Sequence, residues 1–222
     1  MSAIRLLGRV LLPAAIYGFS IGAVHSWRFA VANIIKFPAL VMVTAALCSA
    51  SYYLVARLSA PSLELNQVAR LVLTAYGDAA VLLCSLAGIC FFFAMTMEQP
   101  HSLTELGDYR WFLGLNVAFI AACGCVAVAR QSRAMLERHR IDGRRRAGIV
   151  AAWLALSLLV GGQWAWYLRP FVGIRAVVDD GSFCHGDRPD PRGATSFYEA
   201  VYHLAAPPRR VASPTSPVKR RP

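Results

Sequence analysis

Asp78 is the one carboxylate set well inside an apolar stretch of this chain. An acid in such a place is costly unless it is paired, hydrated or protonated, and acids of this kind often mark ion or proton paths. The same side chain also serves as a hydrogen-bonding tie between helices. Its position, about seven residues into the apolar stretch, places it toward one interface rather than at mid-depth. A second group lies in QWAWYLRPFVG, residues 163–173. There Trp164, Trp166 and Tyr167 suit an interfacial aromatic belt, Arg169 reaches toward headgroups, and Pro170 ends a helix. The other reading of Arg169, with these aromatics and the stretch Phe197–Leu204, is a docking surface for a partner or a lipid headgroup.

Other chemistry finds little to work with. Five of the six cysteines (48, 84, 90, 123 and 125) fall in apolar segments, where a thiol behaves as a small packing group. Cys184 alone lies in a polar region. There is no C-x-x-C, no C-x-x-C-H and no paired Cys/His spacing, so neither zinc nor covalent haem is indicated. The histidines (25, 101, 139, 185 and 203) stand outside the apolar stretches or at their edges, and none is spaced to share a metal with a neighbour on one helix. No Ser-His-Asp set, Gly-rich phosphate loop or pair of in-membrane carboxylates is present. No catalytic residue, metal ligand or cofactor is therefore assigned.

Composition says what must position these residues. Hydrophobic residues make up 57% of the chain and charged residues only 16%, well below the charge of a soluble domain. Several apolar runs reach the roughly 20 residues that cross a bilayer. The expected fold is all-α: one integral membrane helical bundle of four or five transmembrane helices, with interfacial amphipathic helices and a disordered basic C-terminus. The net charge of +11 gathers in residues 130–146 and at the C-terminal end. Charge so placed sets topology and attracts anionic lipid, and forms no nucleic-acid face.

In chain order, residues 10–24 are apolar but short, and read as a short or re-entrant span, a signal anchor or an interfacial helix. Within them Ala14, Gly18 and Gly22 recur at i, i+4, i+8, a face of small residues that lets another helix approach closely. Residues 25–36 have helical amphipathic spacing and read as an interfacial helix, or as the polar approach to the next span. The spans that follow are expected at about 37–55, 71–95, 111–128 and 147–166. Pro61 marks a break and Ser62 a helix cap ahead of the second of these. Gly77, Ala80, Cys84 and Gly88 form another small-residue stripe and a packing seam. The stretch 98–110 is an acidic loop.

The arginine-rich stretch RQSRAMLERHRIDGRRR, residues 130–146, reads as a loop held on the cytoplasmic side, since clustered positive charge resists translocation. With that loop inside, the other segments alternate from it. If residues 10–24 cross, the N-terminus is inside and there are five spans. Inside segments then carry eleven basic residues (Arg5, Arg9, Arg57, Arg70 and the seven of 130–146), against Arg28, Lys36 and Arg110 outside. This asymmetry favours five. Either count leaves the C-terminus extracytoplasmic. Residues 169–204 form a tail in which Phe197–Leu204 suits a short amphipathic helix capped by Ser196. Residues 205–222 are Pro-rich, basic and expected to be disordered.

The blocks W-x-L-R-P-F-x-G (Trp166–Gly173) and S-F-Y-x-A-V (Ser196–Val201), with Lys36-Phe37-Pro38 at the start of a span, resemble the layout of a group of uncharacterised bacterial multi-span inner-membrane proteins. The resemblance implies membrane class and bacterial origin, and carries no activity. Because polar groups within the spans are scarce while small-residue faces are frequent, the leading expectation is a non-enzymatic accessory or assembly subunit that packs against other membrane proteins or itself. A small transporter or channel using Asp78 is the alternative, although transporters generally build interrupted helices around a midplane site. A membrane-embedded enzyme ranks third.

Overall fold

The computed structural model describes residues 3–23, 27–59, 63–96, 107–167 and 198. They form five helices, α1 (Ala3–Gly22), α2 (Trp27–Ser59), α3 (Leu65–Thr96), α4 (Gly107–Arg138) and α5 (Gly143–Tyr167), with no strand among the described residues. In α2, α3, α4 and α5 there is a stretch long and apolar enough to cross a membrane. Paired contacts give the direction of each helix. Arg9 meets Asp78 and Phe19 meets Phe91, so α1 runs parallel to α3. Tyr17 meets Phe37 and Gly22 meets Ala30, so α2 returns antiparallel to α1. Asp78 with Gln131 and Cys90 with Asn116 set α4 antiparallel to α3. Tyr52 faces Trp153, and Thr44 faces Gly161, so α5 runs against α2.

Three expectations are corrected, and one pair of alternatives is decided. The helix expected over residues 10–24 already begins at Ala3 and carries Arg5 and Arg9 into its first turns. Of the two readings of residues 25–36, the approach to the next span holds: from Trp27 the chain runs through Pro38 in one helix of 33 residues. Proline removes one helical donor, a loss that bundled membrane helices tolerate. On one face of that helix Ala30, Asn33, Phe37 and Pro38 are buried against its neighbours, which holds the polar and apolar parts in line. At the other side Gly107 to Arg110 open α4 instead of closing an acidic loop.

The largest correction concerns residues 130–146, which form a helical hairpin rather than a loop. Helix α4 continues to Arg138, and only four residues separate it from Gly143. The turn is built from local hydrogen bonds. Ile141 N–H donates to the Leu136 carbonyl at 3.1 Å and Arg140 N–H to that of Glu137 at 3.0 Å, a Schellman ending with Arg140 left-handed at φ 52°. Ile141 packs on the cluster containing Leu136, the apolar contact that accompanies this motif. Asp142 then caps α5: its side chain accepts from Arg144 N–H at 3.3 Å and its carbonyl from Arg146 N–H at 2.8 Å. Arg146 reaches back to Glu137 at 3.0 Å.

Ser62, Cys184, Arg169, the acidic loop residues up to 106 and the tail 169–222, Tyr198 excepted, lie outside the described residues. The start of α3 is fixed within them by Glu64, whose carbonyl accepts from Gln67 and Val68. The Gln67 side chain in turn accepts from Glu64 N–H at 3.3 Å, half of a capping box.

Candidate functional site

Asp78 stands where α1, α3 and α4 meet. Arg9 Nη2 donates to its Oδ1 at 2.6 Å, and Gln131 Nε2 donates to its Oδ2 at 2.5 Å. The Asp78 side chain is 16% exposed and that of Arg9 45%, so the carboxylate is mostly enclosed while the guanidinium opens outward. Parallel packing of α1 on α3 brings the cation to the acid, and the antiparallel return of α4 supplies the amide. All three lie toward the end of the bundle that carries the arginine-rich hairpin. Residue type alone points to Asp78 and to neither partner. Arg9 is remote by 69 positions and Gln131 by 53, and no local period links them.

Two further polar groups tie the interior. Tyr17 OH donates to Asn116 Oδ1 at 2.9 Å, Cys90 Sγ lies 3.4 Å from the same oxygen, and Asn116 Nδ2 donates to the Phe112 carbonyl at 2.8 Å. On the other side Tyr52 and Ser157 share a hydrogen bond, Tyr76 OH donates to Cys48 Sγ at 3.2 Å, and Trp153 Nε1 donates to the Tyr52 carbonyl at 3.2 Å. Trp153 is wholly buried, and its ring stacks on Tyr52 at 4.9 Å. These ties join α1 to α3 and α4, α3 to α2 and α4, and α2 to α5. Several remaining hydroxyls turn back on their own helix: Ser20 to Ile16, Thr44 to Leu40, Ser49 to Ala45 and Thr74 to Arg70. Such bonds satisfy a hydroxyl where no water competes.

The small residues divide. Ala14 is fully buried against the cluster of Tyr17, Phe37, Ala80 and Leu83. A Cβ on Gly18 would fall 2.6 Å from both the Asn33 carbonyl oxygen and Phe37 Cβ, and one on Gly22 would fall 2.7 Å from Ala30 Cα. Gly77 lies against Arg9 and Val10 of α1. These face the chain's own helices. Cys84 is half-buried and Gly88 is exposed with open space beside it, because the inner stripe passes through Leu83 and Ala87 instead. Trp164 is partly buried near the end of α5; Trp166 lies in its last turn, its side chain outside the described residues. Tyr198 OH donates to the Leu158 and Leu159 carbonyls of α5 at 3.2 and 2.9 Å, placing that side chain on α5.

Removing either member of the Arg9–Asp78 pair should destabilise the bundle by about 1–2 kcal/mol, between the limits for exposed and fully buried pairs. Arg9→Gln, Asp78→Asn and the double variant, unfolded by SDS titration from mild detergent, check this. The double variant should cost clearly less than the sum of the singles. Strict additivity would mean that the two side chains do not act on each other.

Among the described residues no group of three His, Cys, Asp or Glu side chains is placed to hold a metal ion. No family model matches this chain, and neither a curated protein nor a solved structure does.

Proposed function

We propose that this chain is a non-enzymatic accessory or assembly subunit of a bacterial inner membrane, packing against other membrane proteins. The observation that carries the reading is the use of its in-span polar groups. Asp78, Arg9, Gln131, Tyr17, Asn116, Tyr52 and Ser157 are bonded to one another across helices. Interhelical bonds in membrane bundles contribute about 0.6 kcal/mol each on average, and a set of them fixes one arrangement of five helices. Such groups hold a scaffold together. Supporting the subunit role, Gly88, Gly114, Gly124 and Gly148 face open space: a Cβ added to any of them would meet no neighbouring atom within 4 Å. Glycines on an outer surface let a second helix approach its backbone closely.

In this reading α1 is a fifth crossing. Its 20 residues would measure about 30 Å at the rise of an α-helix, and it lies along α3. The arginine-rich hairpin is cytoplasmic and the end of α5 extracytoplasmic. Orientation has its own check: an impermeant maleimide added to intact cells should label Cys184, and protection of that thiol until lysis would reverse the orientation. The role is tested by isolating the tagged chain at native expression, when a membrane protein should remain attached.

The transporter reading makes a different demand on Asp78. Carrying a proton or ion there would require breaking its bonds to Arg9 and Gln131 in each cycle. A folded Asp78→Asn variant that lost a pH-dependent flux would favour that reading.

A further inference from the structure

We infer that the groove along the α4–α5 hairpin is a binding site for an anionic phospholipid. The groove has two parts of about 480 Å³ each, one lined by α4 alone and the other by α4 and α5, with Arg133 and Glu137 lining both. Its cationic lining is Arg130 and Arg133, which project from α4 and form no ion pair among the described residues, while Glu137 is already engaged by Arg146. The apolar lining is Val126 and Ala129 of α4 in the first part and Val150 and Leu154 of α5 in the second. Val126, 59% exposed, continues the apolar track along the outside of α4.

A ligand that fits both linings carries a negative head and a long apolar tail. Guanidinium groups pair with phosphate oxygens in two-point geometry, and basic pockets between membrane helices at their charged end suit anionic headgroups. A nucleic acid or acidic peptide would match the arginines and leave the apolar wall uncovered. The Glu137–Arg146 bond has a part in this. It ties the two helices across the turn and occupies the one carboxylate that lines the groove, so that Arg130 and Arg133 face the ligand unopposed. Lipid binding here needs the helices to cross a bilayer; it does not need the subunit role, and the two fail separately.

The test uses the full chain purified in dodecylmaltoside, with dioleoylphosphatidylglycerol as probe. Dioleoylphosphatidylcholine and inorganic phosphate serve as the comparison ligands. Binding is read from lipid adducts by native mass spectrometry and from the shift in thermal midpoint. Phosphatidylglycerol should bind at least tenfold more tightly than phosphatidylcholine, and millimolar inorganic phosphate should give no shift. The double variant R130Q/R133Q should lose at least tenfold in phosphatidylglycerol affinity with an unchanged lipid-free midpoint. R144Q/R145Q removes the same charge next to the groove and should stay within twofold of the parent. Equal binding of the two lipids, a full shift from inorganic phosphate alone, or equal losses in the two double variants would overturn the assignment.

Discussion

Trp153→Ala should lower the stability of the folded bundle by about 3–5 kcal/mol, the range for truncating a large buried aromatic. The ring is fully enclosed, stacks nearly parallel on Tyr52 at an interplanar angle of 4°, and its indole N–H holds the Tyr52 carbonyl. Truncation opens a cavity between α2 and α5 and removes that donor at once. The neighbouring Tyr52–Ser157 bond depends on the same helix spacing. SDS titration of the purified chain, followed by far-UV circular dichroism, provides the measurement. Trp153→Phe should recover a substantial part of the loss, because it restores stacking but not the hydrogen bond. A Trp153→Ala variant that unfolded with the parent would mean α5 is not anchored through this residue.

Gly18→Ala should be the most damaging change of comparable size. One methyl group there meets the backbone carbonyl of Asn33 and Phe37 Cβ, both at 2.6 Å, so α1 and α2 must separate. Overpacking of this kind costs about 1–3 kcal/mol. The effect should reach beyond α2, because α1 also carries Arg9 to Asp78 and Tyr17 to Asn116. Gly22→Ala, with Ala30 Cα at 2.7 Å, should behave alike. Gly88→Ala is the control. Nothing lies within 4 Å of its added carbon, and its greater helix propensity should leave the isolated chain at least as stable. Equal effects at Gly18 and Gly88 in the same titration would contradict the packing described.

That contrast shows what the sequence did and did not reveal. Hydropathy and length made the helical bundle legible, since apolar runs of bilayer length have few other solutions. The spacing of Ala14, Gly18 and Gly22 marked a close-packing face, yet spacing cannot say whether its partner is the next helix or another protein. The stripe Gly77, Ala80, Cys84, Gly88 divides: Gly77 and Ala80 meet α1, while Gly88 faces open space. At 3.6 residues per turn Cys84 and Gly88 stay within about 20° of Gly77, at the margin of a buried face that runs instead through Ala80, Leu83, Ala87 and Cys90.

Charge misled at the hairpin. Seven arginines in 17 positions read as a loop, but arginine is a good helix former, and the turn needs only Arg140, Ile141 and the cap Asp142. Asp78 stood out by its type alone. Its partners did not, because Arg9 reaches it only through the parallel packing of α1 on α3, which depends on the whole fold. Tyr52 and Trp153 carry no mark in the sequence, because a lone aromatic in an apolar run has no pattern of its own.

The most direct test of the proposed role is the intact mass of the tagged chain, extracted in gentle detergent from cells that express it at its native level. The expected species is a complex heavier than the 24.2 kDa chain by the mass of at least one different membrane protein in fixed stoichiometry. That complex should survive in Asp78→Asn, whose change lies inside the bundle. A species accounted for by one copy, or by several copies of this chain alone, would contradict the subunit reading.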